Sequence, residues 1–279
     1  MIVRCWGARG SIPVSGSAYL RYGGDTTALE IRSRDNDIIL VDAGSGLRRL
    51  GNQLMTETSS RYVMIFTHAH WDHLMGFPFF KPLYLSRTEV DVYGCSYTGD
   101  SLRHMISRVM AAPHFPVAFR DIRGRITFHE ICRHPFSIGP VTVTPIPLSH
   151  PNQGLGFRFE EGGRRFVFLT DNELSHGHPG ALSFEAYRDF SRGADLLIHD
   201  AEFTEEEYEK TRTWGHSTYQ DALRLALAAG VRNLGLFHHN QDRTDNALDG
   251  IITNCRRIIE EKKGALDCFA LSQTTEIHL

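Results

Sequence analysis

His68-Ala69-His70-Trp71-Asp72-His73 places three imidazoles and a carboxylate within one hexapeptide. Groups of this kind are costly to bury without partners, and packing gives no reason to crowd them together. Neutral imidazoles and carboxylates suit zinc, manganese or iron, so the hexapeptide reads as one wall of a metal site. It lies directly behind the apolar run Tyr62-Val63-Met64-Ile65-Phe66. That run predicts a short strand whose end presents the four side chains at the mouth of a sheet.

The arrangement recurs along the chain. Apolar runs ending at Val41, Leu148, Leu169, Ile198 and Phe237 lead into Asp42, His150, Asp171, Asp200 and His238. Strand ends that converge on one edge of an α/β sheet build a site. Asp42, before the turn Ala43-Gly44-Ser45-Gly46, is either a support for the ligands or a turn-forming Asx residue. The last run leaves His238 and His239 side by side as candidates.

The elements that position these residues follow from periodicity and turn chemistry. Strands are expected near residues 1–6, 27–32, 37–41, 62–66, 90–93, 125–130, 141–146, 156–161, 165–169, 194–198 and 231–237. Glu161-Gly162-Gly163-Arg164 marks a hairpin. Helices are expected at 47–54, 99–110, 184–190 and 245–262, and another opens at Ser217 with Gln220 as its capping box and stops at Gly230. The amides of that helix start are expected to face the site, where they would favour a phosphate. Residues 111–117, bounded by Pro113 and Pro116, read as a lid, a partner contact or a packed crossover. No linker, repeat or low-complexity run divides residues 1–279, so one α/β domain is expected.

Lys and Arg number 30 against 33 Asp and Glu, a net charge of −3. That balance predicts no non-specific affinity for nucleic acid or acidic membranes. The five cysteines are scattered without a Cys-x-x-Cys pair, which suits a reducing compartment and leaves no thiolate ligand set. No apolar run approaches the roughly 20 residues of a membrane span, and the chain enters a strand at once without a signal-peptide core. The expectation is a cytoplasmic protein beginning near Met1.

His-x-His-x-Asp-His with a downstream His, Asp and last His resembles the metallo-β-lactamase superfamily, and the resemblance runs from Met1 to the C-terminus. It implies a four-layer αββα sandwich with a binuclear site along one edge. One ion would take His68, His70 and His150, the other Asp72, His73 and His238, with Asp171 bridging them. The cofactors implied are two divalent ions, Zn2+ or Mn2+, holding a hydroxide between them.

The last third of the chain points to a branch. Asp171 stands where true β-lactamases carry Cys, and His216 in Gly-His-Ser-Thr with Asp200 in Ile-His-Asp-Ala-Glu-Phe resembles the pair found in tRNA 3′-processing endonucleases and cyclic-nucleotide phosphodiesterases. Residues 6–13 and 22–27 also resemble the small bacterial and phage phosphodiesterases. The tRNA enzymes insert a long Gly- and Pro-rich arm between the positions of His150 and Asp171; here these are 171 − 150 = 21 apart and a hairpin fills the gap.

The function implied is therefore hydrolysis of cyclic nucleotides or similar small phosphodiesters. Asp72, His216 and Asp200 carry the catalytic roles: Asp72 as a ligand of the binuclear site, His216 as the acid protonating the leaving oxygen, and Asp200 as the group fixing its tautomer. The alternatives are a tRNA 3′-processing nuclease, an iron-dependent oxidoreductase or a thioester hydrolase of the same fold. A small phosphodiester partner and a homodimer contacting through residues 99–117 complete the expectation. His176 and His178 read as loop residues, and His104, His114, His129, His134 and His199 as surface or packing groups. Trp71 and Trp214 flank the metal and acid positions and read either as surfaces for stacking on a base or as core indoles.

Overall fold

A computed structural model describes residues 1–96 and 101–279. The chain first forms β1 (Ile2–Gly7), β2 (Ala28–Arg32), β3 (Ile38–Val41), α1 (Leu47–Leu54), β4 (Arg61–Ile65), the single turn α2 (Trp71–Leu74), β5 (Glu89–Gly94), α3 (Leu102–Arg108) and β6 (Arg125–Glu130). A second series comprises β7 (Phe136–Ile138), β8 (Val141–Pro147), β9 (Leu155–Glu161), β10 (Arg164–Leu169), α4 (Phe184–Ser191), β11 (Leu196–Asp200), α5 (Glu205–Thr211), α6 (Tyr219–Ala229), β12 (Asn233–Phe237), α7 (Asp245–Glu261) and β13 (Asp267–Ala270). The chain then returns as β14 (Glu276–His278).

Two seven-stranded mixed sheets result, ordered β14-β1-β2-β3-β4-β5-β6 and β13-β12-β11-β10-β9-β8-β7. Both follow one plan. Consecutive strands pair antiparallel from β1 to β3, across a long loop between β1 and β2, and from β7 to β10. Parallel strands follow, β3 to β6 and β10 to β13, and parallel neighbours need crossovers, which carry the helices.

Side-chain alternation sets the layers. In β3, Ile39 and Val41 face the core between the sheets, while Ile38 and Leu40 face the helix-side core of the first sheet. In β10, Phe166 and Phe168 point inward to the same central core, and Val167 and Leu169 outward beneath α4, α6 and α7. The expected αββα sandwich is the fold observed.

Several local expectations are corrected. The edge strands β7, β13 and β14 were not foreseen; each is three or four residues long, too short for alternation to register. The helix expected at 99–110 begins at Leu102 with Ser101 capping the His104 amide, while residues 99 and 100 lie outside the described residues. Leu102, Ile106, Val109 and Met110 are buried in the helix-side core with Phe115 and Val117 packed against it, while residues 111–114 and 116 are exposed. Helix α6 is capped by Thr218, whose hydroxyl accepts the Asp221 amide at 3.0 Å. Ser217 is turned inward and donates to the Asn172 carbonyl at 2.5 Å. The Ser217 and Tyr219 amides already bond Asp200 and the Phe203 carbonyl, so they are not open to a phosphate.

The cysteine expectation also changes. β5 and β6 are parallel neighbours, and Cys95 and Cys132 just beyond their ends form a disulfide with Cα atoms 5.0 Å apart. Cys5, Cys255 and Cys268 are free and buried. Among the described residues no helix is long and apolar enough to cross a membrane.

Candidate metal centre

The hexapeptide leaves β4 through Thr67, whose amide and hydroxyl both donate to Asp42, each at 2.8 Å. His68 and His70 lie on the extended segment, and Asp72 and His73 on the single turn of α2, which points Trp71 outward at 58% exposure. Asp42 also accepts from His73 Nδ1 at 2.8 Å, leaving Nε2 toward the site. Asp42 is therefore more than a turn former.

The second sheet contributes one residue per strand end. His150 follows β8 and donates through Nδ1 to the Gly215 carbonyl at 2.9 Å. Asp171 follows β10, Asp200 ends β11 and His238 follows β12. Asp42, Asp171 and His238 adopt left-handed φ values of 61°, 51° and 55°. That conformation is uncommon outside glycine and clusters at functional sites; here it turns the chain off each strand at the shared edge.

These residues converge. His68, His70, His150 and Asp171 form one group of donor atoms within 4.8 Å of one another; Asp72, His73 and His238 form a second, and Asp171, His216 and His238 a third. Asp171 oxygens lie 3.5 Å from His68 Nε2, 3.3 Å from His73 Nε2, 3.9 Å from His150 Nε2 and 3.3 Å from His238 Nε2. His68 Nε2 and His73 Nε2 are buried without a hydrogen-bond partner. Unpartnered buried nitrogens facing a shared carboxylate, in an N/O donor set without thiolate, fit divalent cations.

The electrostatics agree. Burial, with neighbouring imidazoles, pushes His68 well below its usual range, and burial pulls His150 down to about 3, keeping both rings neutral as ligation requires. At His73 and His238 burial also opposes charge, but the carboxylates beside them (Asp72 and Asp171 for His73, Asp171 and Asp72 for His238) override it and raise both well above the ordinary value. The cluster thus demands positive charge.

His216 packs 4.5 Å from the His238 ring and 5.3 Å from that of His150. Its Nδ1 donates to Asp200 at 2.9 Å. Burial disfavours the charged ring, yet Glu202 and Asp200 outweigh it and push the pKa up to about 9. His239 turns away, bonded through Nε2 to the Leu271 carbonyl.

Three contributors escaped the sequence reading. Glu202 accepts from His238 Nδ1 at 2.9 Å and lies 3.5 Å from His216; as the second carboxylate of Asp200-Ala201-Glu202 it was in view but unassigned. Glu173 accepts the Thr213 and Gly215 amides, each at 2.8 Å, the Tyr208 hydroxyl at 2.6 Å and His178 Nε2 at 2.7 Å. It anchors the loop that carries Gly215 and His216, and gives His178 a structural partner. The Ser11 amide donates to Asp72 at 2.9 Å. Two glycines press on ligand rings: a Cβ at Gly10 would lie 2.2 Å from His238 Nδ1, and one at Gly215 2.1 Å from His150 Nδ1.

Among the remaining histidines, His129 pairs with Asp91, while His199 is fully buried between Asn172 and the Asp200 carbonyl. Trp214, like Trp71, is solvent-exposed, at 62%.

Comparison with known proteins identifies the family and the fold. A family model described as the beta-lactamase superfamily domain matches residues 38–239. The ribonuclease Z of Haloarcula marismortui is 25% identical over 252 residues, covering 74% of this chain and 78% of the relative. The metallo-beta-lactamase fold protein YhfI from Bacillus subtilis superposes with a TM-score of 0.71 at 18% identity, covering 99% of this chain and 98% of that one. The short form of human tRNase Z does so with a TM-score of 0.67 at 21% identity, covering 100% and 99%.

Proposed function

Since the chain belongs to the beta-lactamase superfamily domain family, we propose that residues 1–279 form one metal-dependent hydrolase that cleaves small phosphodiesters, cyclic nucleotides among them. The observation that carries this reading is the overlap of three donor groups on Asp171 and His238, with the His216–Asp200 pair joining the same cluster. His68, His70 and His150 would hold one divalent ion, Asp72, His73 and His238 the other, and Asp171 both. Zinc or manganese suits this set. Bound there, the ions supply an acidified water and positive charge for phosphoryl oxygens.

The protein's own groups do the rest. Asp42 and Glu202 fix the His73 and His238 rings by holding their Nδ1 protons. The Gly215 carbonyl does the same for His150. Asp200 holds His216 through Nδ1, so Nε2 is the nitrogen that gives its proton to the leaving oxygen, a step typically worth about 10²- to 10⁴-fold. Glu173 keeps the Thr213–Gly215 loop in place.

A second reading, an endonuclease of the ribonuclease Z kind, is favoured by the relatives of that name. Against it stands the compact β9–β10 hairpin between His150 and Asp171. The test is a panel of bis(p-nitrophenyl) phosphate, cyclic mononucleotides, precursor tRNA and a thioester, offered to zinc- and manganese-loaded protein. Turnover of the small diesters with none of precursor tRNA supports the first reading; the reverse supports the second. A homodimer is part of the proposal, and sedimentation as a monomer at micromolar concentration would remove it.

A further inference from the structure

A phosphodiester has two esterified halves, and the centre opens into two separate cavities. The first, about 460 Å³, is lined by His68 and His70 together with Trp71, Met105, Val109 and Arg108. The second, about 780 Å³, is lined by His216 and Glu202 together with Trp214, Glu206, Lys210 and Asp242. Both sizes are ordinary for small-molecule sites. The metal-ligand rings of His68, His70 and His150 and the ring of His216 form a continuous row between them, His150 lying 4.8 Å from His68 and 5.3 Å from His216.

Each cavity carries one exposed indole, Trp71 at 58% and Trp214 at 62%. Indoles left this open beside a site offer flat faces on which a base can stack. The charges differ. The second cavity is lined by Glu202, Glu206, Glu207 and Asp242 against Lys210 and the His216 ring, an excess of carboxylates, whereas the described lining of the first holds no carboxylate. An acidic wall in a confined space repels a second phosphate.

We propose that the substrate is a linear diester with a flat ring on each side, a dinucleoside monophosphate, whose uncharged nucleoside leaves from the Trp214 cavity while the phosphate stays with the half held against Trp71. The proposal rests on the phosphodiesterase reading and narrows it, since a cyclic mononucleotide fills only one cavity. The oxygen of water bonds to phosphorus, and the ester P–O bond on the His216 side breaks with its electron pair going to the leaving oxygen. That oxygen takes the proton of His216 Nε2, and the proton shed by water passes to solvent. The products are a nucleoside and a nucleoside monophosphate.

The experiment offers metal-loaded protein bis(p-nitrophenyl) phosphate, 3′,5′-cyclic AMP, adenylyl-adenosine, the same dinucleoside with a terminal phosphate on one half or the other, and a short oligoadenylate. Products are separated to identify the leaving half. The expected result is a kcat/KM for adenylyl-adenosine at least about tenfold above that for cyclic AMP, lowered by a terminal phosphate on the leaving half and not by one on the retained half. Trp71→Ala and Trp214→Ala raise KM for the dinucleoside by roughly 5- to 150-fold, the range of one base stack, with metal content unchanged. Glu206→Gln combined with Asp242→Asn, both at exposed positions, narrows the penalty of the extra phosphate. Preference for cyclic AMP, or equal tolerance of phosphates on both halves with oligoadenylate cut best, overturns this inference while turnover of bis(p-nitrophenyl) phosphate leaves the phosphodiesterase reading standing. Turnover of no diester at all overturns that reading itself.

Discussion

The first sheet arms the site from one place, the six residues after β4, whereas the second arms it from the ends of β8, β10, β11 and β12. The two sheets share a strand plan, so the contrast lies in how rigidity is obtained. In the contiguous wall, one carboxylate, Asp42, braces Thr67 and His73 from the neighbouring strand end. In the dispersed wall each residue needs its own brace: the Gly215 carbonyl for His150, Glu202 for His238, Asp200 for His216, and Glu173 for the loop beneath. Site residues far apart in sequence are thus oriented one by one, by the Gly215 carbonyl and by three separate carboxylates.

Substitutions can break or sharpen this contrast. The largest effect belongs to Asp171, on which both walls close: Asp171→Ala should abolish diester turnover and lower bound metal below that of the parent protein by elemental analysis. Retention of two ions would show that the walls hold them independently. Next, His216→Ala should lower kcat by about 10²- to 10⁴-fold while metal content stays full, and a loss of metal instead would make His216 a ligand of the dispersed wall rather than its acid. Paired braces come third. Asp42→Asn and Glu202→Gln should each cost about 10- to 100-fold in metal affinity or activity; competition with a chromophoric chelator compares them, and a loss confined to Glu202→Gln would mean the contiguous wall needs no brace. The smallest effect is expected from Glu173→Gln, which weakens a hydrogen-bonded hub and should destabilise the fold by about 1–3 kcal/mol in denaturant unfolding. An unchanged unfolding midpoint would mean the loop is held by other contacts.

The same contrast explains what could be read from the chain. His68, His70, Asp72 and His73 announce themselves because their chemistry is contiguous. Asp171, Asp200 and His238 were visible through apolar runs that end in a polar residue, a local signal of a strand reaching an edge. Glu202 and Glu173 gave no such signal, since a carboxylate in a polar loop looks the same whether it is solvated or buried against a ligand. Cys95 and Cys132 were read as unpaired because only the parallel pairing of β5 with β6 brings them together. Ser217 satisfied the spacing of a capping box, yet the chain spends its hydroxyl on Asn172 and caps with Thr218 instead. Cap choice there is decided by what surrounds Asp200, a tertiary matter.

The Cys95–Cys132 bond encloses α3, and with it Met105, Arg108 and Val109 of the Trp71 cavity, in a covalent ring spanning a sequence separation of 37. Closing a loop of that length removes freedom from the unfolded chain worth roughly 4 kcal/mol on a chain-entropy argument. The wall of that cavity is thereby tied at both ends, and those ends stay joined even when the ring between them unfolds.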